Sequence, residues 1–124
     1  MPERRPKYLN LLQIRLPVPG LVSILHRASG AALFLLIPLL LYLLQLSLES
    51  PESFAAFKRV ISPWWMKIVL IGAIWGYLHH LCAGIRHLAL DLHYGTGLAA
   101  ARVSSWAVLA LSAGLTLAAG ALLW

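Results

Sequence analysis

Three long runs of apolar residues dominate the chain and predict its architecture. They cover residues 28–48, 68–85 and 103–124, which are 21, 18 and 22 residues, and the first and third contain no charged residue. About 20 apolar residues cross a bilayer as a helix. A segment in lipid must satisfy its own backbone hydrogen bonds, and these runs are too long for barrel strands. The pattern therefore predicts an all-α membrane protein with three transmembrane helices, able to join a larger helix bundle.

Turn and cap residues extend each helix past its apolar run. Gly20 can open the first helix, and Ser62 followed by Pro63 is typical of an N-cap and a first helical residue. Gly95 and Gly97 interrupt the chain before the third helix. We therefore expect one membrane-anchor domain over residues 1–124, with spans at about 21–48, 63–92 and 103–123.

A shorter amphipathic segment separates the first two spans. Ser50 and Pro51 resemble a helix start, and Phe54, Phe57 and Ile61 follow at helical spacing. This spacing predicts a short helix that lies in the membrane interface.

Composition agrees with a lipid environment and rules against a soluble domain. Of 124 residues, 60% are hydrophobic and 11% are charged, and the mean hydropathy is +0.81. The net charge of +6 comes from cations that flank the apolar runs, which favours contact with lipid headgroups over nucleic acid. A single cysteine, Cys82, excludes an internal disulfide. The N-terminus has no apolar signal-peptide core, so we expect the first run to be retained.

The distribution of cations predicts the orientation of the chain. Seven lysines and arginines fall on the N-terminal side and three on the opposite side. The first group is Arg4, Arg5, Lys7, Arg15, Arg27, Arg86 and Arg102, and the second is Lys58, Arg59 and Lys67. The positive-inside rule then places the N-terminus in the cytoplasm and the C-terminus outside.

Polar residues, which cost free energy when they are placed in lipid, form a stripe on the second predicted helix. His80, Gly84, His87 and Asp91 share one face, because a helix turns about 100° per residue. Groups of this kind inside a span usually carry function. Glycine leaves space for a flat macrocycle, and an imidazole can bind haem iron. His80 is the predicted ligand, although helix packing is a plain alternative and His79, about 100° away, is the rival ligand.

A second polar face lies in the first turns of the first predicted helix. Ser23, His26, Arg27 and Gly30 follow the i, i+3, i+4, i+7 pattern at the membrane entry. A serine hydroxyl and a permanently charged arginine can bind the oxygens of a quinone. His26 and Arg27 could also hold haem propionates. The alternative is ordinary: Arg27 extends to headgroups and Ser23 caps its own helix.

At these residues the chain resembles the cytochrome b556 subunit family, the larger membrane anchor of succinate dehydrogenase (respiratory complex II). The family pattern Ser-x-x-His-Arg-x-Ser occupies residues 23–29, after Arg5-Pro6. The pattern His-x-x-x-Gly-Ile-Arg-His occupies residues 80–87 and is followed by Asp91. Residues 7–11 look like the bacterial form of the family.

The resemblance implies a role for each matching residue. His80 corresponds to the axial ligand of haem b, with the second ligand from a smaller anchor subunit. Ser23 and Arg27 match ubiquinone-site positions, and His26, Arg27 and His87 lie in the haem propionate region. No residue is expected to be catalytic, and the roles of Arg86 and Asp91 stay open.

The resemblance also implies partners and a location. FAD and iron–sulfur clusters would belong to a flavoprotein and an iron–sulfur subunit, and electrons would pass from succinate to ubiquinone at the bacterial inner membrane. Three alternatives remain at this point. The chain could serve a quinol:fumarate reductase, it could be a haem-free adaptor, or it could be a self-contained cytochrome ligated by His26 and His80.

Overall fold

The computed structural model describes residues 14–124 as four α-helices without strands. The helices are α1 (Val18–Leu48), α2 (Pro51–Ile61), α3 (Trp64–Asp91) and α4 (Leu98–Leu123). Three of them, α1, α3 and α4, are long and apolar enough to cross a membrane. The predicted all-α class with three membrane spans is confirmed. The Arg5-Pro6 element and the segment 7–11 lie outside the described residues.

The helix starts follow local chemistry. Pro17 precedes α1, and Pro19 falls in its first turn, where a proline loses no hydrogen bond. Ser50 caps α2 in a reciprocal capping box, because the hydroxyl oxygens of Ser50 and Ser53 each accept a hydrogen bond from the backbone N–H of the other residue. The expectation that Ser62 caps α3 is wrong: Ser62 ends α2, its hydroxyl donates to the Lys58 carbonyl, and α3 begins after Pro63.

The third membrane helix begins earlier than its apolar run. Its first residue is Leu98, five positions before the expected residue 103. Leucine and three alanines follow Gly97, and these strong helix formers continue the helix through the charged Arg102. The loop before it turns through two residues with positive φ, His93 at 65° and Gly95 at 70°.

Three helices share a small common core. Val22 of α1, Ala83 of α3 and Val108 of α4 are buried against one another. The outer surfaces are apolar and open: Leu122 is 87% exposed and Leu117 is 75% exposed. A surface of this kind suits acyl chains or other membrane helices rather than water.

Polar side chains line the seam between α3 and α4. Ser105, Ser112 and Thr116 are buried, and each hydroxyl donates to a carbonyl of its own helix. Arg86 of α3 crosses the seam, with Nε donating to the Ser104 hydroxyl at 2.9 Å. Arg86, counted among the cations that flank the spans, is thus largely buried between helices.

Candidate functional site

Three histidines of the two predicted polar faces meet between α1 and α3. The rings of His26 and His80 stack with their centroids 4.1 Å apart and their planes 12° from parallel. The His87 ring lies 4.9 Å from the His26 ring, tilted by 56°. We call these three side chains the histidine cluster. The structure thereby brings together residues that are more than 50 positions apart in the chain.

Hydrogen bonds define the chemical state of His80. Its Nδ1 lies 3.1 Å from the backbone carbonyl oxygen of His26 and 3.4 Å from the Ser29 hydroxyl. A carbonyl only accepts, so Nδ1 must carry a proton, and in the neutral ring Nε2 then carries the lone pair. Within residues 14–124, Nε2 has no hydrogen-bond partner. A neutral imidazole in this tautomer is the form that binds a metal through Nε2.

Two glycines make room for the rings. A Cβ on Gly30 would lie 2.9 Å from Cε1 of His80, which is closer than real Cβ atoms come to a neighbour. A Cβ on Gly84 would lie 3.6 Å from Nε2 of His26, an ordinary contact. The notch at Gly84, expected to receive a macrocycle, is therefore faced by the His26 ring in this structure.

An open groove of about 440 Å³ runs along this face of α3. Its walls are Leu81, Ile85, Leu88, Gly84 and the histidine cluster. Apolar walls with a few convergent nitrogens are typical of a cofactor site. No group of three or more His, Cys, Asp or Glu side chains among the described residues could hold a bare metal ion. One imidazole with a free Nε2 beside an apolar groove instead fits a haem, whose porphyrin supplies the other nitrogens.

His79, the rival ligand, occupies a different environment. Its side chain is completely buried, and its ring stacks on Trp75 with centroids 5.2 Å apart. Across the part of the chain that the structure describes, neither ring nitrogen reaches hydrogen-bond geometry, although the Val22 backbone faces the ring. A ring enclosed by the core cannot reach a porphyrin on the outer face, so His80 remains the better candidate.

The other predicted residues lie around this cluster. Ser23 is half-buried and Arg27 is exposed, and neither lines the groove. His87 is half-buried beside His26, and Asp91 is exposed at the end of α3. The proposed quinone positions therefore share α1 with His26 but do not contact the groove. Their roles stay predictions.

Sequence reasoning missed the part played by Ser29. Its side chain is 7% exposed, and its hydroxyl donates to the His26 carbonyl at 3.0 Å. The sequence did contain a signal: Ser29 stands three residues after His26 and seven after the core residue Val22. That spacing puts all three on the side of α1 that meets α3.

Comparisons with known proteins test the family resemblance predicted from the two motifs. Residues 1–119 match the family described as succinate dehydrogenase/fumarate reductase transmembrane subunit. Proteins named succinate dehydrogenase cytochrome b556 subunit are similar along most of their length. The one from Coxiella burnetii is 36% identical over 125 residues, covering 100% of both chains. The one from Paracoccus denitrificans is 38% identical over 106 residues, covering 86% of this chain and 82% of the relative. The one from Rickettsia felis is 34% identical over 121 residues, covering 98% and 91%. The resemblance predicted from the two motifs is confirmed.

Proposed function

Because the chain belongs to the succinate dehydrogenase/fumarate reductase transmembrane subunit family, we propose that it is the cytochrome b anchor of a succinate:quinone oxidoreductase. It binds haem b jointly with a second, smaller anchor subunit and forms part of the ubiquinone site. Succinate is oxidised on a flavoprotein subunit, and an iron–sulfur subunit passes the electrons to the membrane. The chain alone has no dehydrogenase activity.

The geometry of His80 carries the proposal. Its Nδ1 is hydrogen-bonded to a backbone carbonyl, which leaves Nε2 as a metal ligand beside an apolar groove. When bound, the haem accepts and releases single electrons. His80 would hold the iron through Nε2, and the apolar side chains of Leu81, Ile85 and Leu88 would exclude water from the groove.

His26 and His87 line the same groove as His80, and their ring centroids are 4.9 Å apart. These two imidazoles can donate hydrogen bonds to the propionates of a haem. Arg27, the residue next to His26, adds a permanent positive charge to that region.

Ser23 and Arg27 are the proposed quinone ligands. They are four residues apart on α1, so their side chains are neighbours on one face. The hydroxyl can donate to a quinone carbonyl, and the guanidinium stabilises the negative charge that develops on reduction. The exposed position of Arg27 leaves its guanidinium free to meet a ligand that enters from the membrane.

The first experiment tests haem binding. His80→Phe and the adjacent His79→Phe remove an imidazole and keep an aromatic ring of similar size. In the purified complex, we expect His80→Phe to lose or strongly alter the reduced-minus-oxidised haem spectrum and His79→Phe to retain it. The reverse result would make His79 the ligand. A wild-type complex with no haem would leave only the adaptor function.

The second experiment tests the quinone site. Arg27→Leu removes the proposed charge, and Arg102→Leu removes another exposed arginine as a matched control. We expect Arg27→Leu to lower succinate:quinone activity at least tenfold and to leave succinate oxidation with an artificial dye unchanged. Equal quinone activity in both variants would limit Arg27 to lipid contact.

The orientation is part of the proposal. The proposed location is the bacterial inner membrane, which the three apolar helices would cross. The cation count supports a cytoplasmic N-terminus and a periplasmic C-terminus. A tag after Trp124 should react with a reagent that does not cross the inner membrane. Labelling of the tag only after the cells are opened would show that the C-terminus is cytoplasmic, which is the opposite orientation.

Two alternatives are weaker than this proposal. The chain belongs to a family of transmembrane subunits, which favours a haem shared with another subunit over a self-contained cytochrome. The similar proteins are named for succinate dehydrogenase, which favours succinate oxidation over fumarate reduction.

A further inference from the structure

One turn of α1 holds the ring of His80, although His80 belongs to α3. The His26 carbonyl oxygen lies 3.1 Å from Nδ1 of His80 and 3.0 Å from the Ser29 hydroxyl oxygen. The same oxygen therefore accepts from two side chains, and only a protonated Nδ1 is compatible with it. The tautomer of His80 is consequently selected by the backbone of a different helix.

The next residue of that turn fixes where the ring can lie. Gly30 has no side chain, and a Cβ at its position would be 2.9 Å from Cε1 and 3.3 Å from Nδ1 of His80. The imidazole thus rests directly on the α1 backbone. Any side chain at residue 30 would push the ring away and lengthen the hydrogen bond to the His26 carbonyl.

We propose that Ser29 and Gly30 are positioning residues that set the tautomer, the plane and the electron-donating strength of the His80 ligand. The inference rests on the proposed function, since it concerns the ligand of the haem. A hydrogen bond from Nδ1–H to a carbonyl makes Nε2 a stronger donor, which favours the oxidised metal. The strength of that bond therefore tunes the reduction potential of the haem.

The two residues act on this bond in opposite directions. Gly30→Ala displaces the ring and weakens the bond, so the haem potential should rise. Nδ1 of His80 lies closer to the His26 carbonyl, at 3.1 Å, than to the Ser29 hydroxyl oxygen, at 3.4 Å, so the carbonyl is its main acceptor. Ser29→Ala removes the hydroxyl that competes for this carbonyl, so the bond to His80 should strengthen and the potential should fall. A purely structural role of the two residues gives no reason for shifts of opposite sign.

Redox titration of the haem in the purified complex tests the inference. Gly76→Ala is the matched control, because this glycine lies one turn before His80 on α3 and a Cβ there meets nothing within 4 Å. We expect an upward shift for Gly30→Ala, a downward shift for Ser29→Ala and the wild-type potential for Gly76→Ala. Electron paramagnetic resonance should show a changed ligand geometry in Gly30→Ala alone.

The outcomes separate this inference from the proposed function. Wild-type potentials in Gly30→Ala and Ser29→Ala, with haem bound, would overturn the positioning role and leave His80 as ligand. Should Gly30→Ala fail to assemble or lose its haem, Ser29→Ala decides alone: a lowered potential supports the role, and an unchanged or raised one refutes it. A wild-type complex without haem, or a haem spectrum unaffected by His80→Phe, would instead refute the proposed function.

Discussion

Replacing His79 by phenylalanine should stabilise the protein, although His79 is one of its most buried side chains. The ring is fully enclosed, and among residues 14–124 neither of its nitrogens has a hydrogen-bond partner. Phenylalanine keeps the flat ring that stacks on Trp75 and removes both polar atoms. Alanine at the same position also removes the polar atoms but leaves a cavity.

The expected changes in the free energy of unfolding have opposite signs for His79→Phe and His79→Ala. A buried polar group left unpaired costs about 1–3 kcal/mol. Phenylalanine is slightly larger than histidine, and a nearly volume-conserving change of this kind in a packed core costs up to about 1.5 kcal/mol. The net gain for His79→Phe is therefore about 1 kcal/mol, or roughly a fivefold change in the folded-to-unfolded ratio. His79→Ala also gains about 1–3 kcal/mol from the removed polar atoms but loses about 2–5 kcal/mol through the cavity and the lost stack, so its net loss should be about 1–2 kcal/mol.

Thermal half-life of the detergent-solubilised complex is the suitable assay. The fraction of the chain that still co-elutes with its partners after heating reports stability without relying on haem or activity. We expect the order His79→Phe, wild type, His79→Ala, from longest half-life to shortest. A half-life for His79→Phe as short as that of His79→Ala would refute the reasoning. It would show that the imidazole has a partner in the assembled protein, and the Val22 backbone is the first group to test.

Three further predictions concern stability. Arg86→Ala should shorten the thermal half-life of the complex, because the hydrogen bond from Arg86 to Ser104 is worth about 0.6–1.7 kcal/mol in a membrane. Arg86→Lys should have the same short half-life, since the bond uses Nε of arginine. A wild-type half-life in Arg86→Lys would show that only the positive charge matters. His93→Gly should stabilise the protein by about 0.5–1 kcal/mol, because glycine adopts the positive φ of 65° without strain. The stabilisation should appear as a higher unfolding temperature. A lower unfolding temperature would show that the His93 side chain makes a stabilising contact. Ser50→Ala should destabilise α2 by about 1 kcal/mol, because it breaks the capping box with Ser53. The loss should appear as faster amide hydrogen exchange in the first turn of α2. Unchanged exchange would exclude the cap as a source of stability.

Most of the fold was predictable because a bilayer imposes strict length and composition requirements. Charge-free runs of about 20 residues left few alternatives to spanning helices. The errors lie at helix ends, where the signals were local and ambiguous. Ser62 has the chemistry of an N-cap but closes α2, and the early start of α4 was hidden because Arg102 interrupts the apolar pattern.

The candidate site was predictable helix by helix but not between helices. Spacing placed His80 and Gly84 on one face of α3, and His26 and Gly30 on one face of α1. Which ring would lie against which glycine depends on the rotation of one helix about the other, and a single sequence does not encode that rotation in its spacing. The contacts of His80 with Ser29 and Gly30 therefore required the structure.

The seam between α3 and α4 has a mechanical consequence. Its buried hydroxyls are satisfied within α4, so within residues 14–124 Arg86 alone makes hydrogen bonds across the seam. The register of the two helices is thus fixed near the connecting loop, while their far ends are held by van der Waals contact and by the Lys67 ammonium, 5.9 Å from the centre of the Trp124 ring. A neighbouring subunit could widen or narrow that far gap during assembly without any hydrogen bond having to break.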